Sequence, residues 1–182
     1  MNYFFKPVLL LFLLIFASCS EEKDENELTE NEVETEIPGT WYSLEEAQLL
    51  ASENNKKVMV YAEAVWCPYC KQMKNEVFTV EEVQEITEEY FYPVKVDIES
   101  EDSLSFRGSK MTEIEFSQGM RITGTPTFIF FDEEGEIIAA QPGFIPEDIY
   151  KQILRFVGTN AYQTQTFDEF AENDSTSSIP GK

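Results

Sequence analysis

Histidine is absent from all 182 residues. That removes the serine and cysteine triads built on a histidine base, and the commonest metal ligand. Basic residues are few: 13 Lys and Arg stand against 35 Asp and Glu, a net charge of −22. So acidic a chain cannot replace counterions along phosphates, which excludes nucleic acid as a partner. Cysteine is scarce, with three in total. The apolar run Val8 to Phe16 is much shorter than the ~20 residues that span a bilayer. Internal repeats are missing. Hydrophobic residues at 42% and aromatics at 14% are nonetheless enough for a packed core. The length favours one domain.

The charge is unevenly spread. Lys6 is the lone charged residue before Cys19, and nine acids with one lysine crowd Ser20 to Ile37. Lys6 followed by Val8 to Phe16 has the layout of a secretory signal. Phe16-Ala17-Ser18-Cys19 then resembles the lipobox of bacterial lipoproteins, with phenylalanine where leucine is usual. The resemblance implies removal of residues 1–18 and lipidation of Cys19. Residues 19–37 are too polar and too charged to fold, and are expected to form an extended tether of at most ~60 Å. Ser20 is not the aspartate that resembles an inner-membrane retention signal, so the outer membrane of a bacterial envelope is the expected anchor. The domain would then lie in the periplasm or at the cell surface.

From Pro38 onward the pattern is that of an α/β domain. Ser43-Leu-Glu-Glu46 reads as a capping box opening a helix that Asn54-Asn55 stops. Val58 to Val65 reads as a strand covered on both faces. Pro68 suits a first helical position, and Met73 and Val77 share one face of that helix. Thr79-Val-Glu-Glu82 reads as a second capping box, for a helix through about Glu89. Phe91 to Ile98 reads as a strand and Glu99 to Met111 as a polar loop. Thr112 to about Gln118 reads as a short helix closed by Gly119. Thr127 to Phe131 and Glu136 to Gln141 read as an antiparallel pair around Asp132 to Gly135. Pro146 opens a last helix with Ile149, Ile153, Leu154 and Val157 inside. Helices alternating with strands imply parallel pairing, with the final hairpin antiparallel. Residues 38–158 are therefore the domain and 159–182 an extension. Phe167 and Phe170 would dock one more turn, with Asn173 to Lys182 unfolded.

The chemistry is expected in Trp66-Cys67-Pro68-Tyr69-Cys70-Lys71. A structural zinc site needs about four ligands, and two sulfurs without histidine do not supply them. A structural disulfide across two residues closes too small a loop to restrict the unfolded chain much. A Cys-x-x-Cys pair at the mouth of a strand–helix unit fits a redox role. Cys67 falls at the helix N-cap, where free N–H groups and the dipole favour an anion. That lowers a thiol from about 8.5 into a range of ~3.5–7.5. Cys67 is the expected exposed nucleophile and Cys70, one turn deeper, the resolving thiol. Lys71 and Lys74 would assist the thiolate. Farther on, Gly124-Thr125-Pro126 suggests a tight bend at a strand entry, compatible with a cis Thr125–Pro126 bond.

Together these motifs resemble the thioredoxin superfamily, from about Trp41 to Gly158. Trp66-Cys-Pro-Tyr-Cys70 is similar to its redox motif and Gly124-Thr-Pro-Thr127 to its cis-proline loop; Gly135 and Gly143 fall where it has glycines. The resemblance implies a thioredoxin fold, a central mixed sheet flanked by helices. The long spacing from Cys70 to Pro126 implies an insertion at Glu99 to Met111, before the last βαββα half, as in secreted SoxW-like proteins. It also implies that Pro126 packs against the disulfide and that the Thr125 backbone binds an extended substrate. The family's buried acid would fall at Tyr61. Glu63, on the same strand face, would serve instead as proton acceptor for Cys70. Trp66 would be a substrate platform and Tyr69 a motif-shaping residue.

The expected function is that of a membrane-tethered thiol–disulfide oxidoreductase without metal or cofactor. Its expected partners are disulfide or dithiol proteins and a transmembrane or periplasmic redox partner, and a monomer is expected. The alternative is a non-catalytic binding lipoprotein on the same scaffold. Copper delivery is disfavoured by the missing histidine and the lack of a methionine cluster near Cys67.

Overall fold

Seven consecutive buried residues form β1, Lys57–Glu63. Such a strand needs cover on both faces, and its neighbours supply it. The computed structural model describes residues 37–177. The signal segment, Cys19 and nearly all of the expected tether lie outside them. α1 (Leu44–Asn54) opens on Ser43, whose hydroxyl accepts from Glu46 N, and closes on Asn55 in the left-handed region. After β1 come α2 (Pro68–Gln72), a π-helical turn (Met73–Val77), α3 (Glu81–Tyr90) and β2 (Phe91–Asp97). β3 (Ser103–Phe106) and β4 (Ser109–Thr112) form a separate hairpin. α4 (Glu113–Gly119), β5 (Thr127–Phe131), β6 (Ile137–Pro142), α5 (Glu147–Gly158) and α6 (Phe167–Ser177) complete the order.

The main sheet has the order β2-β1-β5-β6. β1 runs parallel to β2 and antiparallel to β5, and β6 pairs antiparallel with β5. Side chains alternate across β1. Met59 and Tyr61 join Phe78, Phe91, Phe128, Phe130, Tyr150 and Leu154 on one face. Val58 and Val60 join Leu44, Ala51, Phe116 and Phe131 on the other. This is the thioredoxin fold, a mixed α/β sheet between helices.

Four expectations on local structure need correction. Glu99 to Met111 is a loop only as far as Asp102: from Ser103 it is a hairpin, in which Arg107 and Gly108 both have positive φ and close a two-residue turn between β3 and β4. Gln48 of α1 secures that hairpin by donating to Ser105 O and accepting from Arg107 N. The capping box at Thr79 does not form. The Thr79 hydroxyl donates back to Asn75 O at the end of the π turn, leaving Val80 as an uncapped start. Ile149 is 42% exposed, because the inward stripe of α5 is Tyr150, Leu154 and Val157. Finally, α6 continues from Phe167 to Ser177, through the first residues expected to be unfolded. Phe156 packs against Phe167 and Phe170, and Arg155 pairs with Asp174, so the added turns have something to hold.

Candidate active site

The site lies at the end of β1 where the chain enters α2. Cys67 is the N-cap of α2, with Pro68 in its first turn. Its sulfur accepts from Cys70 N at 3.0 Å. Cys67 and Cys70 are joined as a disulfide, with Cα atoms 5.2 Å apart. A sulfur at a helix start faces unpaired N–H groups and the positive end of the dipole. The reduced Cys67 would thus be favoured as a thiolate.

Cys67 is not exposed in this state. Cys67 and Cys70 each retain 1% of their accessible surface. The flanking side chains carry the exposure. Trp66 is 61% exposed, and its indole N–H donates to Glu99 at 2.8 Å. Tyr69 is 58% exposed, with Phe144 beside it at 6.5 Å between rings. The exposed face is apolar, with one carboxylate fixed to it.

The Thr125–Pro126 bond is cis. Ala62 of β1 pairs with Thr127 of β5, which sets the Thr125–Pro126 bend at the same end of the sheet as the cysteines. Pro126 is buried, and its carbonyl accepts from Gly143 N at 2.7 Å. The buried Thr125 hydroxyl has no protein partner.

Tyr61, where the resemblance would put a buried acid, is fully buried. Its hydroxyl donates to Cys70 O at 3.2 Å. Glu63, on the same face, is 5% exposed and pairs with Lys74 at 2.7 Å and Lys95 at 3.7 Å. Lys74, expected beside the thiolate, is therefore committed to Glu63. Sequence reasoning missed that pair. The available signal was that Lys74 follows Cys70 by four residues, on the same helical face.

Burial first, and then the charge of Glu63, pushes the Tyr61 phenol far above its ordinary value. Burial alone does the same to Tyr150. Both phenols keep their protons in the fold at a pH where the unfolded chain, with phenols near ~10, releases them. The unfolded state then binds fewer protons, so stability falls as pH rises past about 10. Of the eight tyrosines, Tyr61 and Tyr150 should form phenolate only as circular dichroism is lost. Smooth ionisation of all eight with the fold intact would contradict this.

A family model of the thioredoxin-like domain matches residues 44–158. The chain belongs to the thioredoxin-like family. Among solved structures, a thioredoxin from Thermus thermophilus is 31% identical. That match covers 64% of this chain and 85% of the other, with a TM-score of 0.53. A thioredoxin-fold protein from Helicobacter pylori is 25% identical, covering 68% and 82%, at 0.59. A putative disulphide-isomerase from Bacteroides thetaiotaomicron is 20% identical, covering 71% and 96%, at 0.54, and shows the fold alone. No curated protein matches the chain. This thioredoxin-like chain thus has a disulfide oxidoreductase fold with Cys67 and Cys70 at bonding distance. Among the described residues, no helix is long and apolar enough to cross a membrane.

Proposed function

We propose that the protein is a lipid-anchored thiol–disulfide oxidoreductase of the cell envelope, of the secreted SoxW-like group. The observation that carries this reading is the Cys67 sulfur at the start of α2, already bonded to Cys70. The Cys67 thiolate attacks a substrate disulfide, and one substrate sulfur leaves as a thiolate. Cys70 loses its proton to Glu63 and attacks Cys67, releasing the second substrate sulfur. The backbone at Thr125 pairs with an extended substrate, and Pro126 closes the site against the sulfurs. Trp66 and Tyr69 offer the substrate an apolar platform, while Pro68 holds the helix start. Cys19 carries the lipid, and the acidic segment after it holds the domain off the membrane. Disulfide proteins are the substrates, and a transmembrane or periplasmic redox partner returns the pair to the dithiol.

The test is insulin reduction by dithiothreitol with the full chain purified in detergent. A clear acceleration is expected. No acceleration, together with a reduced Cys67 inert to iodoacetamide at neutral pH, would leave the binding-lipoprotein reading in its place. Labelled palmitate should mark the wild-type chain and not Cys19→Ser; equal labelling of both removes the anchor.

A further inference from the structure

The outer edge of a sheet is a template on which another strand can pair, so natural edges carry a charge, a proline or a cover. The β2 edge has all three: Lys95 and Pro93 lie within the strand, and Tyr42 bridges to Val94. The opposite edge is β6, and among the described residues β5 is the strand it pairs with. It reads Ile137-Ile138-Ala139-Ala140-Gln141-Pro142, without a charge, and all but Ile138 are exposed. Gly143 N donates to Pro126 O, so the alternation of an antiparallel ladder makes Phe128–Gln141 and Phe130–Ala139 the bonded pairs. Ala140, between them, turns its N–H and C=O to the open side. The stretch is bounded by Pro142 at one end and by a bulge opposite Phe131 at the other. Beside β6 runs a groove of about 470 Å³, with Ile138, Phe144, Ile149, Ile153, Phe156 and Phe167 in its walls. The described residues that line it carry no charge. The nearest acids in sequence are held by cations, Glu136 by Arg107, and Glu147 and Asp148 by Lys151. In a chain with a net charge of −22, edge and groove together form a neutral face.

We propose that two copies of the chain meet on this face, β6 pairing antiparallel with β6 of the second copy about a twofold axis near Ala140. The occupant must be extended, apolar and uncharged, and β6 itself is such a strand. Two identical strands placed antiparallel are self-complementary, as a twofold interface requires. Charge selects the same face. Copies this acidic repel wherever their carboxylates approach, and here they meet without doing so. Ala139 and Ala140 are small enough for the two strands to come together. Ile137, 55% exposed, and Ile149, 42% exposed, are the side chains left for a copy to cover. The two four-stranded sheets become one continuous sheet. The end of β6 leads to Gly143 and Phe144, beside Pro126 and Tyr69. Antiparallel pairing sends these ends in opposite directions, so each Cys67–Cys70 pair stays open at its own end of the joined sheet. The expected monomer gives way to a twofold dimer. The inference rests on the sheet edge and not on the redox reading above.

The experiment is sedimentation velocity on the full chain in density-matched detergent, over a concentration series up to roughly 100 μM. The wild type should pass from one chain to two as concentration rises. Ala140 is exposed, so a charge there leaves the fold intact. Ala140→Lys and Ala140→Glu each set like charges opposite one another across the twofold and should each weaken association by about fivefold or more. An equimolar mixture of the two variants sets opposite charges together and should associate again at least as well as the wild type. A merely misfolded variant would not be rescued in this way. Cys19→Ser should associate like the wild type. Association that disappears with Cys19 comes from a shared micelle and overturns the proposal. So does a wild type that stays a single chain throughout, or association in which Ala140→Lys, Ala140→Glu and their mixture all match the wild type. A single-chain wild type that instead binds a peptide of sequence Ile137–Pro142, or phosphatidylcholine vesicles, gives the face another occupant and overturns the dimer.

Discussion

Cys67→Ser should lower insulin reduction by roughly 10³-fold or more, because the attacking group is lost outright. Cys70→Ser should fail differently. It keeps the nucleophile at the start of α2 and loses the means of release, so it accumulates a mixed disulfide with its substrate. On a non-reducing gel, Cys70→Ser incubated with insulin should shift to a higher mass that dithiothreitol reverses. Cys67→Ser should not shift. The assignment follows from position. Cys67 is the N-cap and meets the unpaired N–H groups, whereas Cys70 lies inside the helix with its carbonyl bonded by Tyr61. The reverse pattern, with Cys67→Ser trapping substrate, would exchange the two roles. Trapping by neither would remove the exchange mechanism. The same trap suits a search for natural partners, since the adduct retains whichever protein donates the disulfide.

Much of this site can be read along the chain because its parts depend on local rules. A proline after Cys67 and a cysteine one turn later describe a helix start with two sulfurs on one face. The run from Val58 and the aromatic strand at Phe128 to Phe131 are continuous enough to be central strands. What the sequence hides is pairing between distant side chains. Glu63 and Lys74 are separated by a strand end, a bend and a helix, and neither residue alone signals burial. The β3–β4 hairpin hides for another reason. Its turn is Arg107-Gly108 rather than an asparagine–glycine pair, and its strands are rich in serine. The alternation of Leu104 and Phe106 was the sign available: both pack against the face covered by α1. At Thr79 the local rule itself was satisfied in sequence, but the helix begins one residue later, with Val80 at the N-cap, and the Thr79 hydroxyl donates to Asn75 O.

The largest effect on stability is expected at Phe128. Its ring is fully buried in β5, between Tyr61 at 5.3 Å and Tyr150 at 5.0 Å, with Phe78 at 6.3 Å. These rings come from β1, α5 and the turn after α2, so one side chain joins three elements. Phe128→Ala should cost about 3–5 kcal/mol through lost burial and the cavity left behind. That is a large share of the ~5–15 kcal/mol that holds a typical domain. The urea midpoint should fall by more than about 1 M with the slope unchanged. Ile149→Ala, at an exposed position on α5, should stay within about 0.5 kcal/mol and serves as the control. The damage should also reach the chemistry, because Phe128 supports the ring of Tyr61 and Tyr61 holds the Cys70 carbonyl. Under conditions where Phe128→Ala remains folded, the release from Cys70 should slow more than the attack by Cys67. A loss below about 1 kcal/mol would mean that the aromatic cluster can collapse into the space, and that the sheet and helices hold together without it.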